Sequence, residues 1–166
     1  MVLGRKIERC CGLKDGLKIV EPNERIAQAY LSEARGSLER AEKNFKDKDL
    51  LWATVVMYYA EYYALYSFLQ KIGVKCENHF CSTLAVGFLL GEEKVQTINR
   101  HKDKRIDAQY YMRVDKEEEI EKMLQEAKLF VAVFDEHVAN ITDAEASLYR
   151  EKIEEIALRK SKTHKK

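Results

Sequence analysis

The sequence predicts an all-α fold, an antiparallel up-and-down bundle of about five main helices. One proline and seven glycines in 166 residues leave little turn chemistry for a β architecture. Apolar residues recur at helical spacing along several long stretches, and short polar turns with N-capping side chains separate them. Short connections place consecutive helices side by side and antiparallel.

Residues 1–22 read as a lead-in. Leu3, Ile7 and Cys10 share a face of a short helix, Gly12 and Gly16 interrupt it, and Leu17 to Val20 is an extended piece ending at Pro22. A single helical domain is expected over 23–160. Asn23 is a good N-cap, and Ile26, Tyr30, Ala34, Leu38, Ala41 and Phe45 follow as a steady stripe. After a KDKD turn, Asp49 caps the run DLLWATVVMYYAEYYALYSFLQKIG, which stops at Gly73. Asn78 caps a short helix to Leu90, closed by Gly91, and Glu92 to Met112 is a more polar segment carrying the basic knot RHKDKR. Asp115 and Glu118 read as a capping box for the next helix. Its stripe of Ile120, Met123, Leu124, Ala127, Phe130, Val131, Phe134 and Val138 is the cleanest in the chain. Thr142 and Glu145 repeat the capping signal for a last helix to about Arg159, and 161–166 is a basic tail.

The run from Asp49 to Gly73 is the most informative. Tyr58, Tyr62 and Tyr66 lie four apart on one helical face, with Tyr59 and Tyr63 in a second row beside them. Ala60 and Ala64 between the rows let another helix approach closely. A helix apolar nearly all round belongs at the centre of a bundle, and its hydroxyls need partners once buried. Glu61 at its middle, with Thr54, Ser67 and Gln70, disqualifies it as a membrane span.

Net charge is +1, so no global field draws the protein to nucleic acid or to an anionic membrane; any such contact comes from a local patch. Four cysteines, Cys10, Cys11, Cys76 and Cys81, are preceded by no secretory-leader pattern. A reducing, cytoplasmic home is expected, and with it no disulfides. Cys76, His79 and Cys81 do not follow the usual zinc-ligand spacing, and Glu117, Glu118, Glu119 and Glu121 read as a solvated helix start at the favourable end of the dipole. No metal and no cofactor are expected. Phosphate-cradling glycine loops, nucleophile motifs and metalloprotease helices are not found in the sequence.

The segment RHKDKRIDAQYYMR gathers Arg100, His101, Lys102, Lys104, Arg105 and Arg113 with Tyr110 and Tyr111. Arginine forks a phosphate and aromatic rings stack on bases, so Arg105, Gln109, Tyr110, Tyr111 and Arg100 are the candidate nucleotide- or RNA-binding residues. On one helix His101, Arg105 and Gln109 share a face. Arg105 and His101 are therefore the candidate catalytic residues, the first to hold a phosphodiester and the second to move a proton. The competing reading is a charged solvent-facing helix in which Arg105 pairs with an acid and the tyrosines pack in the core.

Two stretches together resemble the HEPN superfamily over roughly Asn23 to Val138. WATVVMYYAEYYALYSFLQKIGVKCENHF, Trp52 to Phe80, is similar to the family's alanine- and tyrosine-rich second helix and the Asn-His helix start that follows it. RIDAQYY, Arg105 to Tyr111, resembles the fourth-helix signature of the small prokaryotic members. The resemblance implies a bundle that dimerises with this motif at or near the subunit interface. It also implies a minimal nucleotidyltransferase as partner, often in a toxin–antitoxin pair. Active members are metal-independent RNases whose motif is an arginine followed four to six residues on by a histidine. Here that window after Arg105 holds Tyr110 and Tyr111, and tyrosine, with a pKa of about 10, is a poor base at neutral pH. Met112 stands where some members carry a tyrosine that the partner adenylylates.

The resemblance thus implies an HEPN-type homodimer that partners a nucleotidyltransferase and contacts nucleotide or RNA phosphates, with no membrane association. Its alternatives are an RNase with a degenerate Arg/His motif, using His101 or a tyrosine for the proton, and a ligand-free helical adaptor; His79 could substitute for the missing histidine only in a different geometry.

Overall fold

The computed structural model describes the backbone of residues 2–163 and the side chains of residues 3–158. Among the described residues seven α-helices follow one another: α1 (Val2–Cys11), α2 (Glu24–Lys46), α3 (Leu50–Lys71), α4 (His79–Leu90), α5 (Gln96–Tyr111), α6 (Glu117–Asn140) and α7 (Asp143–Thr163). A 3-10 turn, Glu92–Val95, leads into α5. A two-residue strand β1 (Lys18–Ile19) pairs antiparallel with β2 (Val74–Lys75), joining the lead-in to the α3–α4 connection. The all-α expectation holds, with α1 and α7 flanking five main helices. Helix α7 runs to Thr163, beyond the expected end near Arg159, and positions 164–166 of the tail lie outside the described residues.

Capping side chains set most helix starts. Asn23 Oδ1 accepts from the Ile26 amide at 3.0 Å, Asp49 Oδ1 from Trp52 at 3.2 Å, and Asn78 Oδ1 from Cys81 at 3.1 Å. Thr142 and Glu145 form the full reciprocal box, Thr142 Oγ1 accepting from the Glu145 amide and Glu145 Oε2 accepting from the Thr142 amide. Each such cap contributes about 1 kcal/mol. The box expected from Asp115 and Glu118 does not form. Lys116 is the N-cap of α6 with no side-chain bond, because the Asp115 carboxylate instead accepts from Lys104 Nζ of α5 at 3.0 Å.

Helix α3 lies at the centre, packed against α2, α4, α5 and α6. Fully buried alanines line both members of its closest pairing, Ala27, Ala34 and Ala41 on α2 and Ala53, Ala60 and Ala64 on α3. Small residues at a helix contact let the backbones approach. Larger side chains fill the rest of the core, among them Tyr58, Leu65, Phe68, Leu69, Ile98 and Phe134. Burying each aliphatic or phenylalanine side chain contributes roughly 1.5–3 kcal/mol. Gly73 ends the turn after α3 at φ +77, where a side-chain carbon would meet the Val20 carbonyl oxygen at 2.5 Å. Only glycine combines that backbone with that approach.

The expectation of no disulfides is overturned. Cys10 and Cys81 are bonded, with their Cα atoms 5.6 Å apart. Helix α1 lays its Cys10 face on the first turn of α4, a pairing of positions 71 apart that no local spacing reveals. Cys11 and Cys76 stand outside this bond. Among the described residues no helix is long and apolar enough to cross a membrane.

Candidate functional site: an arginine, two tyrosines and a histidine

The two tyrosine rows of α3 take different places. Tyr58, Tyr62 and Tyr66 are buried, while Tyr59 and Tyr63 are half-buried. All three hydroxyls of the inner row reach the same short segment, 76–82. Tyr58 is hydrogen-bonded to His79 Nδ1 at 3.0 Å, Tyr62 to Ser82 Oγ at 3.2 Å, and Tyr66 accepts from the Cys76 amide at 3.2 Å. The demand that buried tyrosines satisfy their hydroxyls is met by racking the start of α4 against α3.

His79 is the first residue of α4, set there by the Asn78 cap. Its ring lies flat on Tyr62, with centroids 3.7 Å apart and an 11° tilt, and its edge meets Tyr59 at 6.2 Å. Burial, and then the nearby Arg105 charge, hold the imidazole below the usual histidine range. His79 is therefore neutral at pH 7 and able to accept a proton.

Arg105 comes from α5, which runs antiparallel to α3. Its guanidinium carbon lies 4.9 Å from the Tyr58 ring centre, 5.5 Å from Tyr59 and 6.0 Å from Tyr110. Nη1 donates to Gln109 Oε1 at 3.2 Å, and Nε is enclosed with no acceptor. Among the described residues no carboxylate pairs with Arg105, whereas Arg100, Lys104 and Lys102 each have one. Burial pushes the Tyr58 phenol up to about 12 against the opposing Arg105 charge, so the ring stays neutral. A cation over neutral rings is favourable by about 0.5–2 kcal/mol, and it remains available to an anion.

The sequence-chosen residues divide. Arg105 and Gln109 are brought together as expected, and Tyr110 joins them as part of the aromatic surround. Tyr110 and Tyr111 stand 66% and 62% exposed where α5 ends in the left-handed Met112, not in the core as the competing reading had them. Arg100 is engaged by Glu126 on α6. His101, the expected proton carrier, is placed otherwise. Its ring is 1% exposed, with Nδ1 2.8 Å from Glu61 Oε1 and Nε2 3.1 Å from Glu126 Oε2. Burial alone would lower its pKa, but the two carboxylates overcome that and raise it. Enclosed between two acids, His101 has no open nitrogen for a substrate proton, and it acts as a buried clasp between α5, α3 and α6.

The sequence alone offers His101 and His79 as substitutes for the missing histidine and places His79 at a helix start with no ligand spacing. The Asn78 cap and the four-residue tyrosine row together were the signal that could have placed it. Glu61, read only as polar weight in an apolar helix, proves to be the partner of His101.

A neutral imidazole and an acid-free guanidinium share an aromatic floor at the junction of α3, α4 and α5. Among the described residues, the cation thus lies beside a neutral imidazole with no carboxylate between them. A family model described as the HEPN domain matches residues 27–137, more than half of the sequence, and the chain belongs to that family. No curated protein and no solved structure matches it.

Proposed function

We propose that this protein is the HEPN half of a two-component, toxin–antitoxin-like module. It acts as a homodimer that partners a minimal nucleotidyltransferase and grips nucleotide or RNA phosphates through Arg105. The observation that carries this reading is the Arg105 guanidinium, acid-free among the described residues and seated on Tyr58 and Tyr59 with Gln109 at its edge. A phosphate supplies the acceptor oxygens that such a fork takes in pairs. The exposed Tyr110 and Tyr111 beside it offer ring faces for bases. Family membership and the exposed run Tyr110, Tyr111, Met112 and Val114 support a self-association face at the end of α5. A ligand-free adaptor is disfavoured by the cation left without an acid.

Binding of a fluorescent single-stranded RNA and of ATP to the wild type and to Arg105→Ala tests the phosphate contact. Equal affinity in the two proteins rejects it. Inspection of the neighbouring open reading frames for a minimal nucleotidyltransferase, then co-expression and size-exclusion chromatography with light scattering, tests partner and dimer together; no such neighbour, or no complex with it, rejects the partnership.

A second reading, a metal-independent RNase, is favoured by one observation: His79, bonded to Tyr58 beside Arg105, supplies an imidazole outside the two-acid enclosure that holds His101 of α5. In this reading His79 takes the proton of the 2′-hydroxyl as that oxygen attacks phosphorus, the bond from phosphorus to the 5′-oxygen breaks to leave a 2′,3′-cyclic phosphate and a 5′-hydroxyl protonated by water, and Arg105 steadies the charge on the phosphoryl oxygens. Loss of cleavage in His79→Ala with retained RNA binding supports it. Cleavage that survives His79→Ala removes it.

A further inference from the structure

The first turn of α4 carries both His79 and Cys81, and it behaves as one hydrogen-bonded unit. Asn78 Oδ1 accepts from the Cys81 amide, Ser82 Oγ donates to the Asn78 carbonyl at 3.1 Å, and Thr83 Oγ1 donates to the His79 carbonyl at 3.0 Å. The lead-in segment embraces this unit. Glu77 donates its amide to the Asp15 carbonyl at 2.9 Å, and Asn78 Nδ2 donates to Asp15 Oδ2 at 3.1 Å. The covalent member of that embrace is the bond from Cys10 to Cys81.

Helix α1 depends on that bond. It is ten residues long, and among its described side chains only Ile7 and Cys10 are fully buried. A helix this short has little stability of its own and must be held by its contacts. Helix α1 packs chiefly on α4 and α7. Its docking therefore rests heavily on one crosslink, and that crosslink ends two residues from His79.

We propose that the Cys10–Cys81 disulfide is a redox clamp on the Arg105–His79 site. Closed, it fixes the first turn of α4 and holds His79 flat on Tyr62 with Nδ1 at Tyr58. Opened, it releases α1 and the lead-in, and His79 loses its set position beside Arg105. This regulation rests on the reading of that cleft as the functional site.

Opening is thiol–disulfide exchange with a dithiol reductant, and both sulfurs are reached when α1 frays from α4. One thiolate of the reductant attacks Cys10 Sγ; the Cys10–Cys81 bond breaks and Cys81 leaves as a thiolate that takes up a proton. The second thiolate of the reductant resolves the mixed disulfide. Cys10 departs as a thiol, and the reductant is left as its own disulfide, two electrons having passed to the protein. Closure is the reverse step with a disulfide oxidant.

The test is a redox titration of the full chain in mixtures of reduced and oxidised dithiothreitol, followed by three readouts. Alkylation in denaturant followed by intact mass should count two thiols in the oxidised protein and four in the reduced one. Proton NMR should show the His79 ring titrating at higher pH after reduction, towards the ordinary value of about 6.5. Hydrogen exchange should speed at least about tenfold across 2–20 and 76–83 and stay unchanged in α6. Cys10→Ser should reproduce the reduced pattern without reductant. Should that variant lose protection in α6 as well, the wild-type titration alone decides. Four thiols under oxidising conditions, or a His79 titration and exchange pattern identical in both states, overturn the clamp. A redox-dependent His79 in a protein that binds neither RNA nor ATP upholds the clamp and rejects the proposed function. A redox-blind His79 in a protein that binds RNA through Arg105 does the reverse.

Discussion

The Tyr58 hydroxyl and His79 Nδ1 lie 3.0 Å apart, on the ring that Arg105 covers from its other neighbour helix. One side chain of the central helix thus serves as floor for a cation from α5 and as hydrogen-bond partner for an imidazole from α4. The site is assembled by α3, and neither Arg105 nor His79 holds its place without it.

His79 should titrate below the ordinary histidine range. Burial is the leading cause and the Arg105 charge the second, so Arg105→Gln should raise the His79 pKa part of the way back. Because the folded value is depressed, the unfolded chain binds the proton more readily. The contribution of neutral His79 is present above about 6.5 and is lost as pH falls through its folded pKa. Proton NMR of the ring checks both statements, and an unshifted titration in Arg105→Gln would show that the charge does not reach the imidazole.

Arg105→Ala should weaken RNA or nucleotide binding at least about tenfold, the effect of losing charged hydrogen bonds of about 1.5–3 kcal/mol. Arg105→Lys should fail to restore it, because an ammonium neither forks a phosphate nor lies flat on Tyr58 and Tyr59. Fluorescence anisotropy at fixed salt measures all three proteins. Full affinity in Arg105→Lys would reduce the role of Arg105 to a point charge.

The Glu61–His101–Glu126 clasp should make stability fall with rising pH. His101 is raised by its two carboxylates, so its contribution is complete below about 6.5 and is lost as pH climbs through the folded pKa. Burial raises Glu61, which acts in the same direction above its unfolded value. Glu61→Ala leaves His101 with one acid and an emptied core position, and should cost about 3–5 kcal/mol. Urea unfolding between pH 6 and 9 checks the slope, which should flatten in the variant.

Reducing Cys10–Cys81 should lower the unfolding free energy by about 4 kcal/mol, the chain-entropy value for positions 71 apart. Urea midpoints with and without reductant measure it. A midpoint that does not move would mean that α1 docks without the bond.

Much of the bundle was legible because its signals are local. Asn23, Asp49, Asn78 and the Thr142–Glu145 box announce helix starts within three or four residues, and each forms as read. The capping box at Asp115 failed because a lysine eleven residues earlier, brought near by the turn after α5, took the carboxylate. Of the candidate site, Arg105 and Gln109 were legible as neighbours on one helix. His101 was misread for the same reason: helical spacing puts it on the face of Arg105, and spacing says nothing of two acids waiting on α3 and α6.

Capping, periodicity and the tyrosine–alanine pattern are properties of short windows, so the amino-acid order alone settles the helices, their antiparallel succession and the family. Which imidazole meets Arg105, which arginines are neutralised by acids and which cysteines bond depends on side chains far apart in the sequence, 71 positions for Cys10 and Cys81 and 100 for Arg35 and Asp135. Those choices follow from how α4 and α5 dock on the tyrosines of α3, where hydroxyls that cannot be buried alone bind His79, Ser82 and the Cys76 amide.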